Sequence, residues 1–147
     1  MGNPRKLFVN LPVTDLDRSV RFFEALGFEF NPQFCDDTAC CMLIGEDAYA
    51  MLVTREKFAE FAKDKPVADP QETTQVLCSF AVESRNEVDR LVRIALENGG
   101  RAYEPDDHGF MYETAITDPD GNRWDIFWMD PAVVESGGAP EQEPAQA

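Results

Sequence analysis

Apolar and polar positions run along this chain in two rounds of the same order. Lys6 to Val13 (KLFVNLPV) is apolar and β-prone, which predicts a strand. Asp15 stands where a helix N-cap belongs. Leu16, Val20, Phe23 and Leu26 then fall on one helical stripe, which Gly27 is placed to stop. Phe28 to Phe34 alternates with Glu29, Asn31 and Gln33, as a half-buried strand does. Two more strands follow, Thr38 to Ile44 and Tyr49 to Thr54, about a Gly45-Glu46-Asp47 turn. Arg55 to Lys65 reads as a short helix with Phe58, Phe61 and Ala62 on one side, and Pro66 and Pro70 bracket a linker that ends near Thr74.

The second round opens with a strand from Gln75 to Val82 and a capping-box pattern, Ser84-Arg85-Asn86-Glu87. Val88, Leu91, Val92, Ala95 and Leu96 form the helical stripe, and Gly99-Gly100 ends it. Arg101 to Glu104 reads as a short strand. Phe110 to Thr117 and Arg123 to Trp128 pair as a hairpin about Asp118-Pro119-Asp120-Gly121, whose Pro and Gly suit a tight turn. The pattern predicts an α+β fold of two tandem βαβββ modules, residues 5–54 and 75–129, linked by 55–74 and making a cupped mixed β-sheet. The domain then spans 1–130. Residues 131–147, rich in Gly, Pro, Ala and Glu and without a basic residue, read as a disordered acidic tail.

At 147 residues with 44% hydrophobic content, one domain can bury a core without a disulfide or metal. The net charge of −15 excludes general phosphate-backbone binding and disfavours anionic membranes. No apolar run approaches the ~20 residues of a membrane span, and the start enters a strand-like run without a signal-peptide core. The expectation is a cytoplasmic protein with neither nucleic-acid nor membrane partners. Cys35, Cys40, Cys41 and Cys78 contain no C-x-x-C pair and read as reduced, packed thiols.

The segments LFVNLPVTDLDRSVRFFEALGFEF and ITDPDGNRWDIFW resemble the vicinal oxygen chelate superfamily, the glyoxalase, bleomycin-resistance and extradiol-dioxygenase group. The stretches MLVTREKFAEF and HGFMYETAITDPDGNRWDIFWMD are similar to a branch labelled lactoylglutathione lyase-like. The resemblance implies a cupped sheet around a ligand cavity, with a divalent metal on four side chains. Carried over, those positions fall on Phe8, Met51, Leu77 and Asp125. Three are apolar, and a thioether suits only soft ions. A two-residue slip brings in Asn10, or Gln75 or Ser79, and the single histidine, His108, lies off these positions. The resemblance thus supports the fold and argues against its metal chemistry, so no cofactor is expected.

Period two places Phe8 with Asn10, Leu77 with Ser79, Tyr49 with Met51 and Val53, and Asp125 with Phe127 on inward faces. A ligand pocket and a plain core both fit this lining. The expected ligand contacts are Asn10, Met51, Ser79, Tyr112 and Asp125, with Tyr112 preferred over Glu113 for its aromatic bulk. Asp125 reads either as a polar anchor or general base, or as the partner of Arg123 or Arg101. Asn10 reads either as a ligand contact or as a strand-end amide beside Pro12. His108 reads as a loop residue. Trp124 and Trp128 share a face, for core or dimer packing or as a stacking platform.

Three functions follow. The first is a small-molecule binder without metal, taking a cationic or aromatic ligand. The second is a metal-dependent glyoxalase-type lyase or extradiol dioxygenase, which one histidine supplies poorly. The third is a non-catalytic structural or regulatory dimer touching through Phe30, Phe34 or Trp128. A homodimer is the expected assembly, and the sequence leaves catalysis open.

Overall fold

The computed structural model describes residues 2–136. The first round of pattern becomes β1 (Leu7–Val13), α1 (Leu16–Ala25), β2 (Glu29–Cys35), β3 (Ala39–Leu43) and β4 (Ala48–Thr54). They form a sheet of order β1-β4-β3-β2 in which β1 and β4 run parallel. A parallel neighbour needs a long crossover, which α1, β2 and β3 supply. After α2 (Arg55–Ala62), residues 63–76 contain neither helix nor strand and lead to the second round.

That round comprises β5 (Leu77–Ala81), α3 (Arg85–Glu97), β6 (Arg101–Ala102), β7 (Asp106–Asp107), β8 (Met111–Thr117) and β9 (Arg123–Met129). The second sheet has the order β5-β9-β8-β6, with β5 and β9 parallel and β7 also on β8. The α+β class and the doubled βαβββ order are as expected, carried by two sheets that no ladder joins.

Local chemistry sets the helix ends. Asp15 Oδ1 accepts the Arg18 N–H at 3.1 Å, and Ser84 Oγ accepts the Glu87 N–H at 3.0 Å. Only the serine half of the capping box forms. The Glu87 carboxylate turns to Arg90 instead, at 2.7 and 2.8 Å. Gly27 and Gly99 follow α1 and α3 with φ of 100° and 93°, a region that costs glycine little.

Both sheets turn their helix side to one core. Leu11, Val13, Met42 and Leu52 of the first sheet join Ile116, Trp124 and Ile126 of the second, with Phe22 and Phe23 of α1 and Val88 and Leu91 of α3. Trp124 is 1% exposed and lies 5.3 Å from the Phe23 ring, and Phe28 meets Phe80 at 5.2 Å. Each such aromatic buries roughly 150–250 Å², so the seam between the modules is hydrophobic core. The module surfaces alone would leave this seam wet.

A polar clasp closes one end of the seam. Asp120, in the turn between β8 and β9, accepts from the Thr14 N–H at 3.0 Å, Thr14 Oγ1 at 2.7 Å and Ser19 Oγ at 3.3 Å. Asn122 Nδ2 donates to the Pro12 carbonyl at 3.1 Å. Beneath them Asp118 accepts from the backbone N–H groups of Asp120 and Asn122 and from Asn122 Nδ2. Burial nevertheless pushes the Asp118 carboxyl up to about 6.

Two expectations need correction. The segment expected to be disordered from 131 opens with a short helix, α4 (Pro131–Glu135), capped by Asp130 Oδ1 on the Ala132 N–H at 2.9 Å. Residues 137–147 of that segment lie outside the described residues. The four cysteines are not all thiols, because Cys35 and Cys40 form a disulfide across the β2–β3 hairpin. They are register partners there, beyond a bulge that displaces residues 32–34. Cys41 and Cys78 are free, and burial pushes both thiols up. The negative charge of Asp125 adds to the effect on Cys78.

Candidate functional site

Strand register decides which side chains share a face. Phe8 pairs with Tyr49 and Asn10 with Met51 across β1 and β4. Leu77 pairs with Arg123 and Ser79 with Asp125 across β5 and β9, and Glu113 of β8 pairs with Phe127. All of these lie on the face turned away from the common core; period two groups Phe8 with Asn10, Leu77 with Ser79 and Asp125 with Phe127 as expected, but the inward lining expected of them is not what this face presents. That outer face is open at β1 and β5, where Phe8 is 48% and Leu77 52% exposed, and covered at Cys41 and Val53. The Phe8 and Tyr49 rings stack at 4.6 Å, and Lys6 Nζ donates to the Tyr49 hydroxyl at 3.1 Å.

Tyr112 does not belong to this set. Its register partner is Trp128, on the helix side, and its hydroxyl donates to Asp89 of α3 at 2.7 Å. The hydrogen bond and the charge of Asp89 hold the phenol above its ordinary range. Glu113 takes the outward position instead. Trp128 offers no free platform either, since the Arg85 guanidinium lies 5.2 Å from its ring and 5.1 Å from that of Tyr112. Arg85 is fixed there by two bonds to Asp107, at 2.8 and 2.9 Å, which hold the Asp107 carboxyl down to about 2. His108 Nε2 lies 3.5 Å from Glu113 Oε1, in the loop before β8. Of the three apolar residues expected at a dimer contact, Phe34 is 61% exposed, whereas Phe30 and Trp128 pack against the core.

Two hollows open on or beside the outer face. The larger, about 220 Å³, lies between β1, α2, the irregular segment 67–76 and the start of β9. Leu11, Pro12, Phe58, Val67 and Val76 supply apolar walls, and Asn10, Gln75, Asn122 and Arg123 supply polar groups. The smaller, about 130 Å³, is acidic: Glu104, Asp106, Glu113 and Asp125 surround it, with Tyr103 and Arg123. Asn10 and Asp125 therefore do not share one cavity. Met51 and Ser79 are their strand neighbours and line neither hollow. Period two identifies a face, but not how two sheets are set against each other.

Arg123 is the wall common to both hollows. Its Nε donates to Asp125 Oδ1 at 3.0 Å, and its guanidinium lies 4.9 Å from the Tyr103 ring. The ion pair selects Arg123 over Arg101 as the partner of Asp125. The i, i+2 spacing of the two residues on one strand was the available signal. Tyr103 carries no comparable signal, because β6 ends at Ala102.

The divalent ion that the sequence resemblance implies does not fit this donor set. Phe8 and Leu77 offer hydrocarbon, Met51 a thioether and Asp125 a carboxylate already engaged by Arg123. Among the described residues no group of three or more His, Cys, Asp or Glu side chains is arranged to hold a metal ion.

Residues 5–45 match the family model described as bleomycin resistance protein-like N-terminal. Among curated proteins none matches. A hypothetical protein from S. aureus is 29% identical with a TM-score of 0.73, over 86% of this chain and 95% of that one. A glyoxalase/bleomycin resistance protein/dioxygenase family enzyme from Burkholderia phytofirmans is 19% identical with a TM-score of 0.70, over 83% and 96%. A bleomycin resistance determinant encoded on the transposon Tn5 is 20% identical with a TM-score of 0.59, over 86% and 98%.

Proposed function

We propose that this chain, built on the vicinal oxygen chelate fold with a bleomycin-resistance-protein-like first module, is a small-molecule binder that works without a metal. Its ligand on this reading is a cationic aromatic molecule held at the acidic hollow, and a second copy of the chain covers the open face. The observation that carries the reading is the side-chain set itself. Three of the four positions where the resemblance implies metal ligands hold Phe8, Met51 and Leu77, while the fourth, Asp125, stands among other carboxylates.

The chemistry supports a cation. Four carboxylates against one guanidinium leave the smaller hollow negative, and the net −15 of the chain favours approach of a positive ligand. The Tyr103 ring, 47% exposed with the Arg123 guanidinium 4.9 Å from its centroid, adds an aromatic wall to the hollow. Exposed Phe8 and Leu77 supply the apolar contact that a second copy would cover. Small-molecule sites commonly combine apolar walls with a few polar groups, as these hollows do.

A thermal-shift titration with 4-aminopyridine, a one-ring cation at neutral pH, against uncharged pyridine, tests the reading. A ligand at one hundred times its dissociation constant stabilises by roughly 2.7 kcal/mol, so a rise in Tm with the cation alone is expected. Asp125→Asn combined with Glu113→Gln should remove that rise. Metal analysis of the purified protein should give far less than one divalent ion per chain. A stoichiometric ion, with turnover lost on chelation, would replace this reading with a metal-dependent lyase or dioxygenase.

A further inference from the structure

We propose that the larger hollow, under the segment joining the two modules, is a separate binding site for a small monocarboxylic acid with an apolar body. The proposal does not depend on the cationic ligand assigned to the neighbouring hollow.

The walls decide the body of the ligand. Pro12, Phe58, Val67 and Val76 present hydrocarbon, and at about 220 Å³ the space is smaller than the ~300–1,000 Å³ of sites for drug-sized molecules. A single ring or a short branched chain fills it.

Charge decides the other end. The chain carries 28 acidic residues, yet among the described residues none that lines this hollow is acidic, and Arg123 is the one ionisable residue in its walls. The Arg123 bond to Asp125 uses Nε, which leaves Nη1 and Nη2 to donate to a second acceptor. A carboxylate takes such a pair of donors better than a hydroxyl or carbonyl does. Asn10 and Gln75 border the same space and can donate to the second carboxylate oxygen. An ammonium ion would instead meet the guanidinium as a like charge.

The roof makes the site enclosable. The segment is hung from outside the hollow: Arg55 donates to the Val67 and Ala68 carbonyls at 3.3 and 3.1 Å, and Gln71 Nε2 to the Pro119 carbonyl at 3.4 Å. It then presses on Gly121, where an added Cβ would lie 2.9 Å from Gln71 Cδ and 3.0 Å from the Pro70 carbonyl oxygen. The roof thus rests on a glycine whose φ is 97° and is drawn down by one arginine.

Benzoate, benzyl alcohol and benzylamine share a ring and differ in the end group. Each is titrated into the full chain while backbone amide NMR shifts are followed. Benzoate is expected to move the amides of Gln75, Val76 and Gly121 and, read at those amides, to bind at least about tenfold tighter than benzylamine, whose own shifts should fall at the acidic hollow. Arg123→Gln should weaken benzoate about tenfold, and Arg123→Lys should restore part of the loss. Ala68→Phe, on an exposed roof position, should close the hollow and abolish benzoate binding while 4-aminopyridine binding stays unchanged. That contrast separates this site from the neighbouring one even if an Arg123 variant fails to fold. Benzylamine moving the Gln75, Val76 and Gly121 amides with the same affinity as benzoate would overturn the proposal. So would benzoate shifts that survive Ala68→Phe or that never reach Gln75, Val76 and Gly121.

Discussion

Asp120 accepts the backbone N–H of Thr14 at 3.0 Å, across 106 positions of sequence. The carboxylate belongs to the last turn of the second module, and the amide to the exit of the first strand. Thr14 Oγ1, Ser19 Oγ and Arg18 Nη2 converge on the same group, which is almost fully buried. Removing it leaves the buried Ser19 hydroxyl and the part-buried Thr14 donors without their acceptor. Asp120→Ala is therefore expected to lower the unfolding free energy by about 2–4 kcal/mol, read from urea denaturation. A loss within the noise of such melts would mean that water replaces the clasp at no cost.

Asp118, two residues earlier, supplies a pH dependence. Its carboxyl titrates at about 6 in the folded chain against an ordinary 3.8. The folded state therefore holds the proton more tightly than the unfolded state does. The stability gained is full below about pH 4 and disappears as pH rises through 6. Relative to Asp118→Asn, which cannot titrate, wild type should gain roughly 2–3 kcal/mol between pH 7 and pH 4. Paired urea melts at both pH values measure the difference, and a constant gap would mean that Asp118 stays ionised throughout.

The cross-strand disulfide predicts a thiol count. Protein purified without reductant, unfolded and alkylated should carry label on Cys41 and Cys78 alone, and on four cysteines after reduction. Closing so short a loop restricts the unfolded chain modestly, so reduction should cost about 2 kcal/mol. Peptide mass spectrometry reads the first outcome and denaturation with and without reductant the second.

Gly100 allows a close approach of backbones. An added Cβ would lie 2.5 Å from the Thr117 carbonyl oxygen and 2.8 Å from Phe22 Cε1. Gly100→Ala should destabilise the protein by roughly 1–3 kcal/mol through overpacking, whereas the same change at Gly45, where the added atom meets nothing, should have little effect. Comparing the two melts isolates the steric part.

Much of the fold was legible because it is local. Asp15 and Ser84 cap the helices they precede, Gly27 and Gly99 follow them, and alternation puts Trp124 and Ile126 on the side opposite Asp125. What required coordinates is long-range. Bulk suggested Tyr112 over Glu113 as the residue facing the cavity, but register with Trp128 and the bond to Asp89 turn Tyr112 to the helix side. Asn10 and Asp125 each share a face with the strand neighbours that period two gives them, yet they open into different hollows, because the setting of one sheet against another has no period. The Cys35–Cys40 pairing depends on a bulge at residues 32–34 that strand alternation does not reveal. The helix at Pro131–Glu135 is too short for a stripe to announce it.

The aromatic seam bears on the covalent continuity of the molecule. Phe23 and Phe28 of one half enclose Trp124 of the other, so cohesion between the halves does not reside in the peptide that joins them. Severed within residues 63–76, the two fragments should remain associated, and made as separate polypeptides they should reconstitute by complementation.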